Sequence, residues 1–217
     1  MKPKAVIFDL DGTLLDTLKD LGTAVNTVLK NNGFPIHPLG AYRYFVGSGV
    51  GYMLEQALPS SERGPENIQK YVDAFSVYYA VHWADFTRPY KGISDMLHKL
   101  TVSGVPISVL SNKPHNFAKK CVATLLGDIP FSFVWGHKDE YPRKPQPDSA
   151  LALSGLLGLK VDEIMFVGDS DIDMQTATRS GMYAAGVSWG FRTVDELEKN
   201  GAKTIFNKPL EIINFLG

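Results

Sequence analysis

Short unbroken apolar runs alternate along this chain with longer stretches in which apolar positions recur every three or four residues. The runs at 5–10, 106–110, 131–135, 164–167 and 183–187 read as strands, and a weaker one lies at 204–206. Their polarity is continuous rather than alternating, as expected of parallel strands whose two faces are both covered by helices. The intervening stretches carry helical stripes. Ile93, Met96, Leu97 and Leu100 share one face; Phe117, Cys121, Val122 and Leu125 share another, in a helix expected to stop near Gly127. Leu153, Leu156 and Leu157 form a third stripe, ended by Gly158. Strand and helix in alternation predict an α/β fold with helices on both sides of a parallel sheet.

Residues 16–88 break this rhythm. No strand is predicted there, but three helices are. One spans 18–31, with Leu21, Val25, Val28 and Leu29 on one side, Thr17 or Asp16 as its cap and Gly33 beyond its end. A second spans 50–58. A third follows Pro65 and lines up Ile68, Tyr71, Val72, Phe75, Tyr78 and Tyr79. A stretch this long exceeds an ordinary crossover connection. The expectation is a discontinuous α/β core, residues 1–15 and 89–217, carrying an inserted helical domain at 16–88.

Composition narrows the function classes. At 44% hydrophobic and 21% charged residues, the chain has the material for a packed core. Lys and Arg total 22 against 23 Asp and Glu, so a nucleic-acid-binding role lacks its electrostatic footing. The lone cysteine, Cys121, excludes an intrachain disulfide and a Cys-based zinc cluster and reads as a small packing residue. No apolar run approaches the ~20 residues that span a bilayer, and 5–8 is too short for the apolar region of a secretory signal. The expectation is a cytoplasmic protein with no membrane or nucleic-acid partner, monomeric or a small homo-oligomer.

Ligands in such sheets bind beyond the carboxyl ends of the strands. There the chain places Asp9-Leu10-Asp11-Gly12-Thr13, Ser111-Asn112-Lys113 and Gly168-Asp169-Ser170, with Asp173 one helical turn on and Lys144 in the loop Arg143-Lys144-Pro145. Taken singly, each has a plain structural reading: a turn, a helix cap, a surface lysine. Together they describe a site. Carboxylates gathered at one sheet edge repel by about 4 kcal/mol per pair at 4 Å and an effective dielectric near 20, which a cation relieves. An all-oxygen ligand set without His or Cys selects a hard ion, and Mg²⁺ suits few carboxylates plus a phosphate. Ser111 and Lys144 supply the hydroxyl and ammonium a phosphate needs, and backbone N–H groups around Gly12 and Thr13 add donors. Asp9, at the strand tip, is then placed to attack phosphorus, and Asp11 to protonate the leaving alcohol and activate water.

These residues carry a family resemblance. Asp9-Leu10-Asp11-Gly12-Thr13, Ser111-Asn112, Lys144-Pro145 and Gly168-Asp169-Ser170-Asp171-Ile172-Asp173 are similar, in order and over essentially the whole chain, to the motifs of the haloacid dehalogenase superfamily of phosphatases. The resemblance implies a Rossmann-like three-layer core with strand order 5-4-1-2-3 and a type I helical cap. It implies Asp9 as nucleophile and Asp11 as acid/base. It further implies Mg²⁺ on Asp9, on the main-chain carbonyl of Asp11 and on Asp169, with Asp173 in support. Ser111, Asn112 and Lys144 would hold the phosphoryl group. Phe45-Val46-Gly47-Ser48-Gly49, Ser111-Asn112-Lys113-Pro114 and Tyr141-Pro142-Arg143-Lys144-Pro145 resemble the phosphoglycolate phosphatase group, although that group usually has threonine in place of Ser111.

The expected activity is therefore Mg²⁺-dependent hydrolysis of a small phosphate ester, 2-phosphoglycolate first among them. A phosphomutase or pyrophosphatase on the same core is the alternative. A receiver-type signalling module would need neither Asp11 nor the insert, and metal-free dehalogenase chemistry would leave the acidic fourth motif idle. Gly47-Ser48-Gly49-Val50-Gly51 fails as a dinucleotide fingerprint because Tyr52 stands where its last glycine belongs. The five histidines lack metal-ligand spacing.

Overall fold

The structure, a computed structural model, describes residues 2–217. The chain divides into two compact units, Met1–Leu15 with Pro89–Gly217, and Asp16–Arg88.

The first unit is built on a six-stranded parallel sheet. Strands β1 (Ala5–Phe8), β4 (Ile107–Pro114), β5 (Phe133–His137), β6 (Ile164–Gly168), β7 (Tyr183–Val187) and β8 (Thr204–Phe206) lie in the order β5-β4-β1-β6-β7-β8. This is the expected 5-4-1-2-3 arrangement, extended at one edge by the weak sixth run. Two short strands, β2 (Leu15–Asp16) and β3 (Arg88–Pro89), form a separate two-stranded sheet where the chain leaves and re-enters this unit.

β1 is central, paired in parallel with β4 (Val6 opposite Ile107) and with β6 (Ala5 opposite Ile164). All four of its residues are fully buried, which explains its uninterrupted apolar sequence. Ala5 and Ile7 join Ile164 and Phe166 in a core cluster with residues of the flanking helices α7 (Asp148–Leu157), α8 (Asp171–Ser180) and α9 (Val194–Lys199). Val6 and Phe8 alternate to the other face and are equally buried. The remaining helices of the unit are α5 (Ile93–Val102), which packs on β4 and against α10 (Leu210–Leu216), and α6 (His115–Leu125), which packs on β4 and β5.

The second unit is helical: α1 (Leu18–Asn31), α2 (Tyr42–Phe45), α3 (Val50–Ala57) and α4 (Pro65–His82). Tyr71, Phe75 and Tyr79 of α4 are buried, with Trp83 just beyond, so that aromatic series is core. The Asp20 carboxylate accepts hydrogen bonds from the backbone N–H groups of Phe86 and Thr87 and from the Thr87 hydroxyl, tying the start of this unit to its end. No helix among the described residues is long and apolar enough to cross a membrane.

Several local expectations are corrected. Thr17 precedes α1 but its side chain makes no capping bond; Asp16 instead accepts from the Leu18 N–H at 3.4 Å. Leu156 is exposed, because α7 buries Leu153 together with the small residues Ser149, Ala150 and Ser154, on the side that meets α8. Ser154 is tolerated there because its hydroxyl donates to the Leu159 carbonyl. β4 does not end at Leu110: the polar segment Ser111-Asn112-Lys113 remains strand, with a register shift toward β5 between Leu110 and Pro114. β5 runs two residues later than its apolar pattern suggests, whereas α3 starts at Val50 as expected.

Candidate active site

The carboxyl ends of β1, β4 and β6 lie side by side, and the polar residues after them converge. Asp9 follows β1 directly, its backbone N–H donating to the Val167 carbonyl of β6 at 2.9 Å. Beyond it the chain turns tightly, with the N–H groups of Leu14 and Leu15 donating to the Leu10 carbonyl and that of Gly12 to Leu15. Gly12 has φ of 94°, and a Cβ there would collide with the Asp169 carboxylate, so the turn requires glycine.

Asp169 directly follows β6 and is almost wholly buried. Its Oδ1 accepts from the Thr13 hydroxyl at 2.9 Å and its Oδ2 from the Phe191 backbone N–H at 2.8 Å. The latter donor sits in the loop after β7, where Gly190 passes so close that any side chain would strike Asp169. Trp189 of the same loop donates its indole N–H to the Thr13 carbonyl at 2.9 Å.

Asp173, in the first turn of α8, closes a capping box with Ser170. Its Oδ2 accepts from the N–H groups of Asp169 and Ser170 and from the Ser170 hydroxyl, the last at 2.6 Å. Its Oδ1 accepts from Lys144 Nζ at 2.7 Å, and the same ammonium donates to Asp9 Oδ1 at 2.8 Å. Lys144 therefore bridges Asp9, after β1, and Asp173, in the first turn of α8, from a buried position.

Asn112 holds Lys144 there. Its Nδ2 donates to the Lys144 carbonyl and its Oδ1 accepts the Lys144 N–H, both at 2.9 Å. Arg143 adds a bond from Nη1 to the Asn112 carbonyl. The amide of Asn112, expected at the phosphoryl group, engages the backbone of the lysine loop in this way. The peptide bond between Lys144 and Pro145 is cis. Ser111, buried on β4, accepts from the Lys113 N–H at 3.2 Å, an interaction that leaves its own O–H proton for another acceptor.

Asp9, Asp169 and Asp173 each offer a carboxylate oxygen, all within 4.8 Å of one another and all buried. Asp11 is not part of this trio. Its carboxylate turns to Lys113, whose Nζ lies 3.0 Å from Oδ1 and 3.4 Å from Oδ2. Lys113 belongs to the site and went unassigned in the sequence, because nothing in the local pattern says which acid a strand-end lysine meets. The Phe191 N–H is invisible there for a simpler reason, since a backbone donor has no residue signature.

Burial, helped by repulsion from Asp173 and Asp11, pushes the Asp9 carboxyl up to about 7 despite the opposing Lys144. Burial likewise raises Asp169 well above the usual carboxylate range, with Asp173 and Asp9 adding to it. Burial alone would lower the Lys144 ammonium, but Asp173 and Asp9 outweigh it and its pKa is raised. Four carboxylates face only two ammonium groups. An all-oxygen, buried and net negative cluster fits a hard divalent cation and offers nothing to a soft one.

A sequence model described as haloacid dehalogenase-like hydrolase matches residues 6–187. A phosphoglycolate phosphatase of Pectobacterium atrosepticum is 29% identical over 217 residues, covering 99% of this chain and 92% of that protein. One from Neisseria meningitidis is 32% identical over 203 residues, covering 92% of this chain and 86% of that protein. Among solved structures, a protein of Lactobacillus delbrueckii subsp. bulgaricus, provisionally described as a phosphoglycolate phosphatase, superimposes with a TM-score of 0.92 at 32% identity. That match covers 100% of this chain and 99% of the other.

Proposed function

The chain belongs to the haloacid dehalogenase-like hydrolases and is a phosphoric monoester hydrolase, and from that premise we propose that it transfers the phosphoryl group through Asp9, with 2-phosphoglycolate as its substrate. The observation that carries the mechanism is the convergence of Asp9, Asp169, Asp173 and Lys144 at one sheet edge.

Asp9 attacks phosphorus with a carboxylate oxygen, forming an acyl phosphate as the ester P–O bond breaks. Asp11 gives its proton to the departing alkoxide, so the alcohol leaves neutral. Asp11 then takes a proton from the water that attacks phosphorus, and the Asp9 carboxylate is released with inorganic phosphate. Lys144 and the Ser111 hydroxyl hold the phosphoryl oxygens throughout, whereas the N–H groups of Gly12 and Thr13, expected as further donors, are engaged within the turn by the Leu15 and Leu10 carbonyls. Asn112 serves indirectly by fixing Lys144.

Mg²⁺ held by Asp9, Asp169 and the main-chain carbonyl of Asp11 would neutralise charge on the transferring group. Asp173, with Oδ2 taken by three donors, orders the loop and Lys144 in support. The substrate assignment draws on the names of the relatives, which cover most of this chain at about 30% identity.

The test is phosphate release from a panel of phosphorylated metabolites, with Mg²⁺ and with chelator. Turnover should require the ion, favour 2-phosphoglycolate and disappear in Asp9→Asn. Full turnover by that variant rejects the mechanism, and preference for another ester rejects the substrate alone.

A further inference from the structure

We propose that Lys113 is a positioning residue for proton transfer, holding the carboxylate of Asp11 in the orientation from which it reaches the leaving oxygen. The inference rests on the reading of Asp11 as the general acid.

The backbone at Asp11 is already fixed. Three hydrogen bonds, from Gly12 to Leu15 and from Leu14 and Leu15 to Leu10, close the turn around it. What remains to be set is the rotation of the side chain, and Lys113 meets both of its oxygens, at 3.0 and 3.4 Å. A contact to both oxygens constrains the carboxylate plane as well as its distance. Lys113 is itself held. It sits on β4 two residues after Ser111, and its N–H donates to the Ser111 hydroxyl. The side chain of Lys113 is 4% accessible and that of Asp11 12%. An ammonium this deeply buried is held by its partner, because a buried charge without one is strongly unfavourable. The pair thus links the proton donor to the same strand that carries the phosphate-binding hydroxyl, so donor and phosphoryl group share one rigid reference.

A misplaced catalytic group can cost about 100-fold in rate; in the departure of the alcohol, the step that kcat/KM reads, that cost falls only on substrates that need the proton, whereas activation of water is common to both esters. An alkyl phosphate such as 2-phosphoglycolate expels a basic alkoxide, whereas p-nitrophenyl phosphate expels a stable anion. The experiment measures kcat and KM on both esters for wild type, Lys113→Met, Lys113→Arg and Asp11→Asn, with thermal melts to compare folding. The expected result is a kcat/KM loss of about 100-fold for Lys113→Met on the alkyl ester and a much smaller one on p-nitrophenyl phosphate. Asp11→Asn should lose in the same sense, and Lys113→Arg should recover most of kcat/KM. Should Lys113→Met fail to fold, Lys113→Gln replaces it, with the same difference between esters expected.

Equal losses of kcat/KM on both esters, or none on either, overturn the role of Lys113 while leaving Asp11 as the acid. Absence of any leaving-group dependence in Asp11→Asn instead overturns the underlying assignment of Asp11.

Discussion

Asp9 lies at the tip of a fully buried strand, and its environment gives it a measurable signature. In the folded chain without a cation, burial first and neighbouring acids second push its carboxyl up to about 7. Unfolded, it titrates near the ordinary aspartate value of about 3.9. Between those values the folded state keeps a proton the unfolded state has lost, so stability falls as pH rises through that window. Asp169 acts in the same direction. His115 and His137, both lowered by burial, act in the opposite one. The difference between wild type and Asp9→Asn isolates the Asp9 contribution. In chelator, urea midpoints should show wild type losing stability relative to Asp9→Asn as pH rises from about 4 to about 7. Added Mg²⁺ should remove most of that loss. A difference that is flat, or of opposite slope, contradicts the raised carboxyl. Asp9, Ser111 and Asp169 were legible because each directly follows an apolar run, whereas Lys144, in a loop, and Asp173, in a helix, were drawn in through the motif set as a whole. Asn112 and Lys113 were not, since their roles are set by partners 32 and 102 residues away.

Among the elements, those whose burial is decided locally follow the sequence closely. The helix predicted at 18–31 is α1, ending where Asn32 and Gly33 donate to Leu29 and Lys30. Where tertiary packing decides, the pattern misleads. Leu156 fits a helical stripe yet faces solvent, because α7 turns its small residues inward, and the polar end of β4 stays in the sheet through pairing at its edge. The start of α8 is the element on which the site depends most. Ser170 caps it, accepting from the Asp173 N–H at 3.4 Å and donating to the Asp173 carboxylate at 2.6 Å. Loss of a serine cap typically costs about 1 kcal/mol, which lowers the melting temperature of a chain this size by about 2–4 °C. Ser170→Ala should show that drop in calorimetry together with weakened phosphate release, since Asp173 also anchors Lys144. An unchanged melting temperature would mean the cap contributes nothing.

At the scale of the whole molecule, the site exists only because the topology puts β1 between β4 and β6. That order brings residues 9, 111 and 169 to one edge from distant parts of the chain. Alternation of apolar runs and helices signals such a sheet, but strand order was drawn from resemblance, since periodicity carries no information about which strands are neighbours. The near balance of charge over the chain conceals the local excess of acids at that edge. The account stands on Asp9 receiving the phosphoryl group, and the most direct measurement is to catch it there. Enzyme turning over 2-phosphoglycolate with Mg²⁺ is quenched in acid, reduced with borohydride and mapped by peptide mass spectrometry. The account predicts that residue 9 alone is converted to homoserine, and that the conversion vanishes in chelator. Active enzyme with an unmodified Asp9, or with the modification on another acid, would contradict it.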